Sequence, residues 1–202
     1  YPHNIHFIVA SAQMAGDMDT ALREARRLRT VLDPATSARI AWVQVIDAAP
    51  YQALAQFAEP RAVLAAPAPD ARLPYAAAMR HYARAVAHAR LHDQRSFDRE
   101  MAALNALKAS PALAEMVAQG VPAPDLLALA EAVAYGRMAM ARGRPAEATE
   151  HYRRAADLEA ALPYMEPAFW YYPVHQSLGA ALYQAGRPDL AADAFRLALA
   201  QT

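Results

Sequence analysis

The chain has 202 residues, and its 20 basic residues balance 20 acidic residues. This balance argues against nucleic-acid binding, which needs a concentrated positive face. The lack of cysteine excludes disulfides, thiolate metal sites and a cysteine nucleophile. No apolar run is long enough to span a membrane, so we expect no membrane insertion. About a quarter of the residues are alanine, which has the lowest helical cost of any residue, so the composition predicts helix almost everywhere.

The clearest pattern is an internal repeat near the C-terminus. Residues 134–158 read AYGRMAMARGRPAEATEHYRRAADL, and residues 177–199 read SLGAALYQAGRPDLAADAFRLAL. The two segments align when Gly143 is placed on Gly186, an offset of 43 residues. Four further pairs of similar residues then coincide: Gly136 with Gly179, Ala148 with Ala191, Tyr152 with Phe195, and Ala155 with Ala198.

This spacing predicts two antiparallel helices in each segment. In the first segment, Gly143 ends the first helix, because a left-handed cap favours a residue without a Cβ. Pro145 begins the second helix, where its missing N–H costs nothing. Gly136 and Ala148 lie where the two helices cross, and Tyr152 is expected to fill the gap to the next pair. The second segment repeats each of these features.

Weaker copies of the pattern precede these two segments. The stretch NIHFIVASAQMAGDMDTALREARRL has Gly16 at its turn, and HYARAVAHARLHDQRSFDREMAAL has His92 in the glycine position. A weaker pair lies between these two copies, over residues 36–66. Its first helix should kink or restart at Pro50. A short helix is expected over 111–119. The predicted helix pairs span about 1–33, 36–66, 74–108, 124–161 and 172–201.

The glycine turn, alanine crossing and aromatic position resemble those of the tetratricopeptide repeat (TPR). The resemblance implies an all-α fold over 1–202: a single right-handed α-solenoid of antiparallel helix pairs, a TPR-like superhelix. It also implies a scaffold that binds a protein or peptide on its concave face. Both ends fall at repeat boundaries without a polar cap. We therefore expect that the natural protein continues past them, or that the ends associate with another chain, including a second copy.

The resemblance also assigns positions to the concave groove. Those that we expect to contact a ligand are His3, His6, Gln13, Tyr82, Arg137, Met140, Gln176 and Tyr183. Such a groove is polar and aromatic with little charge. It lacks the Lys/Arg cluster with which some TPR domains hold a peptide carboxylate, so a ligand is not expected to be held by its C-terminus.

A metal site is the alternative function. His3 and His6 are three residues apart and share one helix face, which is a spacing that can bind a metal. Met79 and Met140 are soft ligands that could join them, so a divalent metal or copper is the cofactor that this alternative implies. We favour the interpretation that His3 and His6 cap the helix and line a polar groove. The default expectation is therefore no cofactor.

Two further groups have a structural and a functional interpretation. His81, His88 and His92 recur at helical spacing, but Ala89 stands where a zinc-protease motif requires Glu, so packing and turn capping are favoured. The segment from Tyr164 to Tyr172 has five aromatic residues among nine. It could form a binding platform, although packing onto the helices is favoured, with Trp170 buried.

No known catalytic motif is present. The sequence contains no phosphate loop, dinucleotide fingerprint or nucleophile elbow, so we expect a binding protein rather than an enzyme. The strings YPHNIHF, HYARAVAHA and EPAFWYYPVHQSLGAALYQAGRP also resemble segments of large bacterial TPR proteins. In those, an upstream repeat carries the paired-histidine motif HMPSH, which would supply further metal ligands. The sequence is compatible with a location in the bacterial cytoplasm and with one in the periplasm.

Overall fold

A computed structural model describes residues 1–201, which are all-helical and contain no strand. None of its helices combines the length and hydropathy that crossing a membrane requires. The helices in chain order are α1 (Pro2–Ala15), α2 (Met18–Val31), α3 (Pro34–Arg39), α4 (Ala41–Phe57), α5 (Pro60–Leu64), α6 (Pro74–Arg90), α7 (Gln94–Lys108), α8 (Pro111–Ala118), α9 (Ala123–Ala141), α10 (Pro145–Ala160), α11 (Val174–Gln184) and α12 (Pro188–Ala200).

Four helices end at a glycine in the left-handed conformation. Their φ angles are 72° at Gly16, 86° at Gly120, 67° at Gly143 and 75° at Gly186. At the third of these turns the Gly143 N–H donates to Met140 O at 3.0 Å, and the Arg144 N–H donates to Ala139 O at 2.9 Å. This pair of bonds satisfies carbonyls that the helix end would otherwise leave without a partner. The bends predicted at Gly143 and Gly186 are confirmed.

His92 makes the same turn without the advantage of glycine. Its φ is 56°, and it is the only non-glycine residue with positive φ in the described part of the chain. The His92 N–H donates to Ala89 O, and the Asp93 N–H donates to His88 O, both at 3.0 Å. The hydrogen bonds are those of the glycine turns, so the degenerate copy keeps the geometry and loses only the preferred residue.

The helices pack mainly against their neighbours in sequence. Four of them contact the next helix across a tight turn: α1 with α2, α6 with α7, α9 with α10, and α11 with α12. Adjacent pairs are joined by α2 with α4, α4 with α6, α6 with α9, and α10 with α11. The core therefore runs along the chain from one helix pair to the next. At the far end, α12 leaves Leu190, Phe195 and Leu197 exposed.

The second copy differs most from the others. Its first helix, α4, continues through Pro50 from Ala41 to Phe57, and the chain breaks instead at Ile40, between α3 and α4. Its second helix, α5, has only five residues. A cavity of about 510 Å³ lies between α2, α4 and α5.

The crossing of α9 and α10 depends on the absence of a side chain at Gly136. A Cβ added there would lie 2.5 Å from Tyr152 Cε1, and one added at Gly179 would lie 2.6 Å from Phe195 Cε1. The aromatic ring therefore packs on the glycine of its own pair, instead of filling the gap to the next pair as the sequence suggested. In the first pair the large and small residues are exchanged, with Val9 facing Ala25 in one buried cluster. Each crossing thus holds one large and one small side chain.

We expect Gly136→Ala to destabilise the fold and Gly179→Ala to be close to neutral. Tyr152 is 2% exposed and packed inside the core, whereas Phe195 is 41% exposed and its ring can rotate outward. Overpacking costs about 1–3 kcal/mol, and the better helix propensity of alanine offsets up to about 1 kcal/mol of it. Urea denaturation followed by circular dichroism measures both free energies of unfolding. Equal effects of the two substitutions would contradict this account of the crossing.

Candidate ligand-binding site

The segment that joins α10 to α11 packs across the protein. We call residues 161–173 the aromatic loop. Its side chains Phe169, Trp170, Tyr171 and Tyr172 are buried, while Tyr164 is 86% exposed. The expectation that this segment packs onto the helices, with Trp170 buried, is confirmed for four of its five aromatic residues.

The loop contacts the first helix of the second copy. Phe169 stacks on Trp42 of α4 with ring centroids 5.3 Å apart and planes at 20°. Gln52 of the same helix donates from Nε2 to the Phe169 carbonyl at 3.4 Å. A buried amide thus satisfies a backbone carbonyl that the loop brings away from solvent.

The loop also contacts the first helix of the third copy, α6, through Tyr82. The Tyr82 ring meets Trp170 edge to face at 5.5 Å, and its hydroxyl lies 2.6 Å from that of Tyr171. Burial raises the pKa of both tyrosines, so both hydroxyls stay protonated and one donates to the other. A hydrogen bond between two wholly enclosed hydroxyls is costly to break, because neither can turn to water.

On the far side the loop lies against α9 and α11. The Arg137 guanidinium stands over the Tyr172 ring, 5.9 Å from its centroid. The Tyr172 hydroxyl is 2.9 Å from the Ser177 hydroxyl. Together with the contacts above, the loop bridges the first helices of four successive copies.

Glu159 of α10 holds the end of the loop. Its Oε2 accepts the Val174 N–H at 2.9 Å, which satisfies a backbone donor at the start of α11. Burial raises the pKa of Glu159 to about 7, and the Val174 hydrogen bond only partly opposes that shift. The carboxylate is therefore held in a place that disfavours its charge.

This geometry predicts that Glu159 makes the stability fall as the pH rises. The folded pKa of about 7 exceeds the ordinary 4.5, so the folded chain binds more protons than the unfolded chain between those values. The contribution of Glu159 is complete below about pH 4.5 and is lost as the pH approaches 7. The free energy of unfolding of the wild type, minus that of Glu159→Gln, should fall over this interval by on the order of 1–3 kcal/mol.

Urea denaturation across this pH range measures that difference. The exposed Glu150 on the same helix provides the control, and Glu150→Gln should shift stability without this dependence on pH. A wild-type-minus-Glu159→Gln difference that stays constant with pH would show that the folded chain does not hold the Glu159 proton.

The residues predicted to line a groove lie in several different environments. Tyr82 is enclosed under the aromatic loop. Gln13 is buried, and its Nε2 donates to Gln56 Oε1 at 3.0 Å. Tyr183 is 68% exposed on α11 and lines none of the cavities described here. The other five predicted residues each line a cavity beside the loop.

Three of those five meet in one cavity of about 300 Å³, which we call the Arg137 pocket. Arg137 and Met140 of α9 face Gln176 of α11 across it. The remaining lining residues are Gln56, Tyr152, Tyr172, Ser177 and Ala180. This pocket is the part of the predicted groove that the structure brings together.

A larger cavity of about 620 Å³ lies between α1 and the aromatic loop, and we call it the α1 cleft. Phe7 and Met14 line one wall, and Trp170 and Tyr171 line another. Gln176 lines both the α1 cleft and the Arg137 pocket, so the two cavities adjoin. The other residues along the cleft are Ala10, Ser11, Ala15, Glu166, Pro167, Ala168 and Leu199. Of the residues predicted to contact a ligand, only Gln176 lines the cleft. The aromatic loop, for which packing was favoured over a binding platform, forms one of its walls.

His3 and His6 line a separate cavity of about 210 Å³, together with Met165 and Glu166 of the aromatic loop. Burial and, to a smaller extent, the charge of His3 lower the pKa of His6 to about 4, so His6 is neutral near pH 7. The methionine beside the pair is Met165 rather than the predicted Met79 or Met140. Within residues 1–201, no three His, Asp or Glu side chains are grouped closely enough to hold a metal ion.

The second histidine group lies at the interface of α6 and α7. His81 Nδ1 is 2.7 Å from Glu100 Oε2, and Arg84 Nε donates to Glu100 Oε1 at 2.7 Å. Burial alone would raise the pKa of Glu100, but these two hydrogen bonds outweigh it and hold the pKa below its ordinary value. His88 is buried beside the same carboxylate. The group connects two helices, in agreement with the structural interpretation.

A comparison of the chain with models of protein families, with curated proteins and with solved structures found no match.

Proposed function

We propose that this chain is a scaffold of the tetratricopeptide type that binds a peptide segment of another protein in the α1 cleft and the adjoining Arg137 pocket. The observation that carries the proposal is the lining of the cleft. The cleft presents Phe7 and Met14 against Trp170 and Tyr171, and Gln176 marks the point where it meets the pocket that contains Arg137. Apolar and aromatic walls with a few polar groups at one end are typical of sites that recognise peptides.

The solenoid part of this proposal rests on features within the chain itself. Tight left-handed turns recur at Gly16, His92, Gly143 and Gly186. Each precedes a second helix, and the core passes from one copy to the next. Such stacking yields a right-handed superhelix whose first helices face inward, which is the side that the aromatic loop covers. In this arrangement the loop occupies the middle of the groove and leaves its edge open for a ligand.

The proposal is tested by blocking the cleft. Ser11 is exposed on α1 and lines the cleft, so Ser11→Arg places a long side chain in it. We expect peptides selected from a random 12-residue phage library against the wild type to bind Ser11→Arg at least about tenfold more weakly. Fluorescence polarisation with synthetic peptides measures the affinities. Ala114→Arg adds the same side chain at an exposed position of α8 and should leave binding unchanged.

Two results would count against this function. Either the library yields no peptide that binds the wild type in solution, or the selected peptides bind Ser11→Arg as well as the wild type. Circular dichroism of both variants confirms that a loss of binding is not a loss of fold.

A metal site is a second candidate, because both imidazoles line one cavity with a thioether and a carboxylate. His3, His6 and Met165 form a nitrogen and sulfur set that suits Cu(I). A neutral His6 is ready to coordinate, because it has no proton to displace near pH 7. The chain would then bind copper or another metal between α1 and the aromatic loop.

Metal analysis decides between the two candidates. Under the metal hypothesis, wild type incubated with Cu(I) under anaerobic conditions, or with Zn²⁺, keeps close to one equivalent after gel filtration. His3→Ala, His6→Ala and Met165→Leu each lose it, while Met18→Leu, an exposed methionine outside the cavity, keeps it. Equal metal content in the wild type and the His3→Ala/His6→Ala double variant would exclude the site.

A further inference from the structure

Arg137 is a half-buried cation that faces a cavity. It lies one turn before the end of α9, between α10 and the aromatic loop, and its guanidinium faces the Arg137 pocket with Tyr172 at 5.9 Å. A guanidinium keeps its charge at any pH at which proteins fold. The pocket therefore always contains one positive charge.

No residue in the described part of the chain neutralises this charge. Arg137 makes no ion pair with a carboxylate there, and the groups that act on it electrostatically are four tyrosines. Burial raises the pKa of Tyr82, Tyr152 and Tyr171, so these side chains are neutral hydroxyls and not phenolates. Their rings offer Arg137 a polarisable surface but no negative charge.

A charge removed from water without a counterion is costly, and proteins usually pair such a charge. Two other half-buried cations of the chain follow that rule. Arg84 reaches Glu100 at 2.7 Å, and Lys108 reaches Glu131 at 2.7 Å. Arg137 departs from it while facing a cavity of about 300 Å³, which is large enough for a carboxylate group and part of the chain that carries it.

The rest of the pocket offers further polar groups. Gln56 is already engaged with Gln13, since it accepts from Gln13 Nε2 at 3.0 Å and donates to Gln13 O at 3.1 Å. Ser177 is engaged with Tyr172 at 2.9 Å. Gln176, in contrast, lies at the mouth shared with the α1 cleft and can donate from its amide to a group entering from the cleft.

We propose that the Arg137 pocket receives a carboxylate of the segment bound in the α1 cleft, with Arg137 as its partner and Gln176 beside it. The planar guanidinium fork matches a carboxylate, and the pairing supplies the missing counterion. The carboxylate comes from an Asp or Glu side chain or, contrary to the expectation from the sequence, from a free C-terminus. This inference rests on the proposed function and adds to it the chemical class of the ligand.

The first arm of the test uses the peptides selected against the wild type. Each is synthesised with a free and an amidated C-terminus, and with every Asp or Glu replaced in turn by Asn or Gln. Removal of one carboxylate should weaken binding to the wild type by roughly tenfold or more, and Arg137→Gln should weaken the parent peptide similarly. Applying both changes should cost little more than either alone. The carboxylate whose removal weakens binding shows whether Arg137 pairs with a peptide side chain or with the peptide C-terminus.

Two controls separate recognition from folding. Arg142→Gln removes an exposed arginine five residues further along the chain and should leave the affinities unchanged. Arg137→Gln should unfold at no lower urea concentration than the wild type, because it removes an unpaired half-buried charge rather than an ion pair.

The second arm does not depend on any peptide. N-acetylglutamate amide is titrated into labelled protein while the Arg137 Nε–Hε resonance is followed by NMR, with Arg137→Gln for its assignment. A saturable shift supports the inference even if the library yields no peptide, in which case the proposed function fails alone. Peptides that bind the wild type and Arg137→Gln equally, with no shift in the titration, would overturn the inference and leave the proposed function standing. If neither probe binds, both are wrong.

Discussion

The candidate site depends on the packing of the aromatic loop onto the first helices of the central copies. The decisive contact is between Tyr82 and the loop. Trp170 packs against the Tyr82 ring, and the Tyr171 hydroxyl lies 2.6 Å from the Tyr82 hydroxyl. Both tyrosines are enclosed, so the hydrogen bond has no competitor from water. Gln52 and Trp42 hold the loop on one side, and Ser177 holds it on the other. Without these contacts, the α1 cleft, the Arg137 pocket and the cavity of His3 and His6 would each lose the wall that the loop forms.

The position of the loop explains why the candidate site lies at the edge of the proposed groove, along α1. In the proposed solenoid, the helix pairs would present a continuous inner surface whose middle is filled by the chain's own aromatic side chains. What stays accessible is the margin along α1, together with the Arg137 pocket beyond it. The loop acts on both, since Trp170 and Tyr171 form a wall of the cleft and Tyr172 lies under Arg137. A ligand in this site would contact the loop as much as the helices.

The two proposed functions would share one structural element, the aromatic loop. Glu166 and Pro167 line both the α1 cleft and the cavity of His3 and His6. A metal bound by the histidines and Met165 would therefore hold the loop at the wall of the peptide cleft. A ligand in the cleft would in turn restrict the loop beside the histidines, so each event would favour the other if both occur. This coupling needs no movement of the helices.

The sequence by itself determined the helical content, the turns at Gly143 and Gly186 and the small residues at the crossings, because these are local rules. A left-handed cap needs glycine whatever surrounds it, and alanine favours helix in any context. The same local view recognised His92 as a replaced turn glycine, and it expected the burial of Trp170. It could not place the ring of Tyr152 on Gly136, since that depends on how two helices meet.

Only the tertiary structure decided which surface stays open. Tyr82 and Arg137 share the same predicted role, yet one is covered by Trp170 and the other faces a pocket. The difference depends on where the aromatic loop packs. The loop is distant from Tyr82 in sequence, since the hydrogen bond between Tyr82 and Tyr171 joins residues 89 apart. Long-range packing of this kind leaves no period in the sequence. The charge of Arg137 was visible from the start, but that it has no counterion became visible only once its neighbours were known.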